Sequence, residues 1–243
     1  MIHLQRLTTT TGLLTLSLPL PSMGILRQEL WTTCKRGAQV ERSHAWRSRT
    51  LVDVFFHHRL SVLEQAALIL ATGSLIGVLA QVALRLPFTP VPVTLQTAGV
   101  LLAGALLGWR RAGLALLTYL GEGLAGLPVF AGGVSAWTPS AAGIPEIIGP
   151  TAGYLVGFLL AAIAVGWCTE RGWDRSLKQS LLSMTVGEFF IYVCGLTWLA
   201  RFVGIAHAIP LGLLPFIPGD ILKMVAVAAL LPLGWKFQAT LHK

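Results

Sequence analysis

Read for polarity alone, the chain sets long apolar stretches against short polar or proline-rich breaks. The stretches lack the two-residue alternation of a half-buried strand and run on as continuous apolar segments, so they predict helices. They cover about residues 62–86, 93–107, 112–127, 150–168, 181–203 and 215–233. Crossing the hydrocarbon core takes about 20 apolar residues, and only helices or closed barrels satisfy their backbone there. The expected fold class is therefore all-α: a polytopic membrane protein with six transmembrane helices. The second and third stretches are short, which suits tilted helices inside a bundle.

The breaks have physical causes. Pro87, Pro90 and Pro92 fall within six residues and end the first helix. Gly108-Trp109-Arg110-Arg111 separates the second and third, and Glu170 to Lys178 forms a charged loop. Residues 128–149 are a long connection rich in Gly, Pro and Ser. The domain organisation that follows is a segment 1–60, a membrane domain 61–235 and a tail 236–243. Segment 1–60 is basic and reads either as an unstructured cytoplasmic tail or as a targeting peptide.

Composition sharpens this picture. The mean hydropathy is +0.72 and 12% of residues are charged, about half the fraction of a soluble domain. The net charge of +8 could suggest nucleic acid, but the cations lie in residues 1–60 and in short loops, the pattern that orients membrane proteins. With the amino terminus inside, fifteen Lys and Arg fall on the inner side and three, Arg85, Arg201 and Lys223, on the outer. Both termini are expected to be cytoplasmic in the plasma (inner) membrane, embedded in the lipid bilayer and with no nucleic-acid partner.

Chemistry concentrates on the outer side. Asp220 and Lys223 sit one helical turn apart at the start of the last apolar stretch. An acid and a base at such depth are costly and mark a functional site, although an interfacial salt bridge with a snorkelling Lys fits the pair equally well. Gln96 is an amide at the start of the second stretch, and the Gly-rich connection offers free N–H groups beside a helix start. Glu188, inside the fifth stretch, reads as a proton relay or a buried donor's partner. Cys34, Cys168 and Cys194 form no paired framework. No P-loop, HExxH, Cys/His ligand cluster or GxSxG elbow occurs, so neither a metal site nor a cofactor is expected. His207 reads as a solvated loop residue, and His57-His58 as interfacial.

The motifs together resemble one family. They are P-F-T-P-V-P-V-T-L-Q-T (87–97), L-L-A-G-A-L-L-G (101–108), G-L-P-V-F-A-G-G (126–133), G-P-T-A-G-Y (149–154) and P-F-I-P-G-D-I-L-K (215–223). In this order they resemble the BioY family, the biotin-binding S components of energy-coupling-factor (ECF) transporters. The resemblance implies an ECF S-component-like bundle that captures biotin outside the cell. It implies partners too: a transmembrane ECF subunit and two ABC-type ATPases, which would power release. Asp220 and Lys223 would contact biotin, with Gln96, Phe130, Gly149, Thr151, Gly153 and Tyr154 also placed at the site. Ala67 and Ala71 on the first helix would dock the transmembrane partner. Two positions depart from the family pattern: Val134 follows the Gly-Gly pair, and Ala152 stands where a second Gly is usual. An S component for another vitamin, and an intramembrane acid–base enzyme using Glu188, Asp220 and Lys223, are the alternatives.

Overall fold

The structure is a computed structural model and describes residues 50–56 and 60–241. These residues fall in the second of two compact units, Ala45–Lys243. The basic residues read in segment 1–60, together with His57, His58, Cys34 and Lys243, lie outside the described residues. Eight helices are found among the described residues: α1 Leu51–Phe55, α2 Val62–Gln81, α3 Gln96–Leu107, α4 Trp109–Leu124, α5 Ala152–Thr169, α6 Leu177–Val203, α7 Ile205–Gly212 and α8 Ile217–Leu241.

Local chemistry sets the boundaries. Ser61 accepts from the Glu64 N–H while Glu64 reaches back to the Ser61 N–H, a reciprocal cap that starts α2. Thr50 and Asp53 form the same device at α1. Gly108 adopts φ +79°, a conformation that ends α3 and lets α4 begin at the next residue. Gly204, at φ +82°, separates α6 from α7 in the same way.

The first helix ends at Gln81 rather than near residue 86. The chain then enters a two-stranded antiparallel ribbon, β1 Ala83–Leu84 against β2 Val93–Thr94. The ribbon holds the proline-rich turn between its strands, a use of prolines that ends a helix and starts a hairpin at once. Thr89 Oγ1 donates to the Leu211 carbonyl at 2.7 Å, which ties this turn to α7.

Four helices, α2, α5, α6 and α8, are long and apolar enough to cross a membrane. At 12 residues, α3 rises only about 18 Å; at 16 residues, α4 rises about 24 Å. Both fall short of a hydrocarbon core of roughly 30 Å. Neither α1 nor α7 was expected from hydropathy. α1 buries Leu51 and Val54 against α3 and α8, and Arg111 pairs with Asp53 at 2.6 Å. The packed region thus extends before residue 60.

Small residues allow the helices to approach. A Cβ on Gly157 of α5 would stand 2.8 Å from the Ile191 Cα of α6, and one on Gly104 of α3 would stand 2.7 Å from the Ala162 carbonyl of α5. Gly73 of α2 lies equally close to α4, with the Ala115 carbonyl at 2.9 Å. α5 is the most enclosed of the four long helices and α2 the least.

Candidate ligand-binding site

The start of α8 carries the central pair. The Asp220 N–H donates to the Phe216 carbonyl at 2.9 Å, so its carboxylate sits in the first turn, where the helix dipole favours a negative charge. Lys223 lies one turn on, and its Nζ donates to Asp220 Oδ1 at 2.8 Å. The same ammonium donates to the Thr94 carbonyl at 2.5 Å and to Thr97 Oγ1 at 3.1 Å. Asp220 also accepts from Thr97 Oγ1 at 3.3 Å and from the Tyr192 hydroxyl of α6. All three ammonium hydrogens and both carboxylate oxygens are engaged.

The side chains of Asp220 and Lys223 are 7% and 11% exposed. That figure decides between the two sequence readings, because a snorkelling interfacial lysine would be open to water. The pair instead faces the bundle interior. Three elements converge on it: the β2–α3 junction, α6 and α8.

A cavity of about 610 Å³, including the part open to solvent, lies over this network. Of the residues expected at the site, Asp220, Lys223, Tyr154, Thr151, Phe130 and Gln96 line its wall. Gln96 opens α3 and is 2% exposed. Its Nε2 has no hydrogen-bond partner among the described residues. Phe130 packs on Tyr119, ring centroids 5.4 Å apart. It is fixed by its own N–H donating to the Val134 carbonyl at 2.9 Å. The ring of Tyr154 lines the cavity while its hydroxyl donates to the Gly212 carbonyl at 2.7 Å.

Gly149 and Gly153 lie outside the wall. The Gly149 carbonyl accepts from Trp198 Nε1 at 2.9 Å, and Gly153 backs onto α6, where a Cβ would stand 2.5 Å from the Cys194 carbonyl. Both contact α6. Val134 also lies off the wall and serves the turn through its carbonyl. Ala67 and Ala71 are exposed on α2, while Gly73 and Gly77 of the same helix are buried. His207 is exposed, on α7 rather than in a loop. Among the described residues no cluster could hold a metal ion.

Several wall residues were not picked out from sequence. Thr97 belongs to a quoted motif and Tyr192 is a polar residue inside a long apolar helix, so a signal existed for both. Glu146 had none. It sits in a 3₁₀ turn, Glu146–Ile148, within the long connection, and its Oε1 accepts from the Thr151 hydroxyl at 2.5 Å. The apolar wall is built by residues such as Val91, Phe158, Ile191 and Phe216. Glu188 lies one turn before Tyr192, is 6% exposed, and neither of its oxygens has a partner among the described residues.

The chain is similar to known proteins. A profile of the BioY family matches residues 49–240. A biotin transporter BioY of Rhizobium etli is 37% identical over 174 residues, which covers 68% of this chain and 86% of that protein. A biotin transporter BioY of Thermotoga maritima is 38% identical, covering 63% of this chain and 85% of that one. A crystal structure of the S component for biotin from an ECF-type ABC transporter superposes with a TM-score of 0.59 at 25% identity. It covers 72% of this chain and 92% of the other.

Proposed function

The chain belongs to the BioY family, and we propose that it is the substrate-binding subunit of a biotin uptake system, holding biotin in the cavity above Asp220 and Lys223. The observation that carries this reading is the enclosed network of Asp220, Lys223, Thr97 and Tyr192 at the cavity wall, beside the unpartnered Gln96 amide.

Biotin offers two ureido N–H donors, one ureido carbonyl, an apolar sulfur-containing bicycle and a carboxylate tail. Asp220 accepts from a ureido N–H, a charge-assisted bond about twice as strong as a neutral one. Lys223 already has three acceptors, so its part is to hold Asp220 ionised and oriented. The free Nε2 of Gln96 supplies the donor that the ureido carbonyl needs. Phe130, Tyr154 and Phe158 cover the bicycle. Thr151 positions Glu146, a second carboxylate on the wall.

Six membrane crossings complete the reading, with α3 and α4 as the short inner pair and α2, α5, α6 and α8 as the long ones. The charge distribution supports a topology with both termini in the cytoplasm and the cavity at the outer face. The exposed Ala67–Ala71 stripe of α2 suits close approach by a helix of a transmembrane ECF subunit, which would in turn recruit two ABC-type ATPases. The relatives' transport activity leaves no role for the acid–base enzyme alternative.

Equilibrium titration of the detergent-purified protein with biotin tests the site. Asp220→Asn and Lys223→Ala should each weaken binding by on the order of 100-fold or more, with unchanged membrane insertion. Full affinity in both variants would reject the site, and tighter binding of another vitamin would reject the ligand.

A further inference from the structure

The cavity wall carries two carboxylates, Asp220 and Glu146, and one cation, Lys223. That cation is fully committed to Asp220, Thr94 and Thr97. A ligand with an anionic tail therefore meets a wall that is not positive, and a carboxylate entering a partly dehydrated site needs its own counter-charge. The ribbon beside the cavity supplies one.

In the β1–β2 ladder Ala83 faces Thr94 and Leu84 faces Val93. Val91, Pro92 and Thr94, on and just before the second strand, line the cavity. Arg85 follows the last pair of the ladder; it is exposed and stands just outside the cavity wall. The guanidinium lies over the glycine turn of the long connection: a Cβ on Gly132 would stand 2.6 Å from Arg85 Nη2. The residue before Gly132, Ala131, is itself on the cavity wall. Of the outer-end cations, Lys223 is paired and Arg201 stacks 4.8 Å from the Trp198 ring centroid. Arg85 has neither an ion pair nor a hydrogen bond among the described residues.

We infer that Arg85 is a specificity-determining residue at the cavity mouth, which receives the ligand's carboxylate tail while the polar network below receives the ring. The inference rests on the biotin reading given above. It assigns the two ends of the ligand to two different elements: the head group to α3 and α8, and the tail to the ribbon and the glycine turn. Gly132 belongs to the same device, because at φ +80° it leaves the space the guanidinium occupies.

The test compares biotin with biotinamide, whose tail is neutral, on purified wild type, Arg85→Gln and Arg85→Lys. Arg85→Gln should weaken biotin by about 10- to 100-fold, the range of one charge-assisted hydrogen bond. It should leave biotinamide within about twofold of wild type, and Arg85→Lys should recover part of the biotin affinity. Equal losses for both ligands would make Arg85 a structural residue and overturn the assignment, as would an unchanged biotin affinity. The parent reading fails differently: wild type would then bind neither ligand, and the tail assignment would fall with it.

Discussion

Gln96 and Lys223 are both polar and buried beside one cavity, yet they carry opposite costs. Lys223 has a partner for each hydrogen; the Gln96 amide nitrogen has none. An unmet buried donor costs about 1–3 kcal/mol, and in a binding protein that cost is recovered when the ligand arrives. Gln96→Leu should therefore lower biotin affinity by about 10-fold while leaving the melting temperature in detergent unchanged or raised. Lys223→Ala should behave differently, because it leaves a buried carboxylate short of its cation. Its apo form should lose about 3–5 kcal/mol of stability, measured as a shift of the thermal unfolding curve. Asp174 gives a third case, away from the membrane. It is fully buried in the loop after α5, its Oδ2 accepts from Trp235 Nε1 at 2.7 Å, and burial raises its pKa above the ordinary carboxyl value. A raised carboxyl pKa adds stability at pH below the unfolded value and loses it as pH climbs through the folded value. Asp174→Asn should accordingly raise the unfolding midpoint at neutral pH and flatten its acid dependence.

At the scale of elements, hydropathy located the long helices, whose starts fall within about four residues of expectation because caps, a glycine or a charged loop bound them. The last helix, though, runs on to Leu241, so residues 236–241, read as a tail, continue α8. Hydropathy missed the ribbon, where Val82 to Thr94 reads as the frayed end of one span and the start of another. Two-residue strands leave no periodicity to detect. It also missed α7, eight residues with Pro210 inside, and α1, five residues held by packing rather than by propensity. The Asp220–Lys223 pair was legible because charge is rare in apolar sequence. Glu146 was not, because the connection that places it is ordered by tertiary hydrogen bonds, such as the Ile147 N–H to the Ala136 carbonyl at 3.1 Å. Gly149 and Gly153 were placed at the site through the G-P-T-A-G-Y motif; in the structure they lie off the cavity wall, against α6. Two substitutions test the element packing. Gly153→Val should overpack that contact and cost about 1–3 kcal/mol, seen as a lower unfolding temperature. Leu51→Ala should cost about 2–5 kcal/mol, which would mark α1 as part of the folded membrane unit; a change under 0.5 kcal/mol (about the noise of surface substitutions) would contradict its packing role.

Across the described residues as a whole, the arrangement is a bundle whose enclosed helix, α5, is surrounded by α3, α4 and α6, with the cavity at one end and Arg110, Arg111, Arg171, Arg175 and Lys178 in or beside the connections at the other. Three arginines stack on tryptophans at that second end: Arg110 on Trp109, Arg171 on Trp167 and Arg175 on Trp235. Amphipathic rings and cations of this kind suit the headgroup level of the cytoplasmic leaflet. In a cysteine-free background, Thr138→Cys in the long connection should react with an impermeant maleimide from outside intact cells, and Lys236→Cys only after permeabilisation. The central claim, that the outward cavity over Asp220 and Lys223 holds biotin, is tested most directly by native mass spectrometry of protein purified from cells grown in rich medium. The account predicts one bound molecule of biotin's mass on the wild type and none on Asp220→Asn. A ligand-free wild type, or an equally loaded Asp220→Asn, would contradict it.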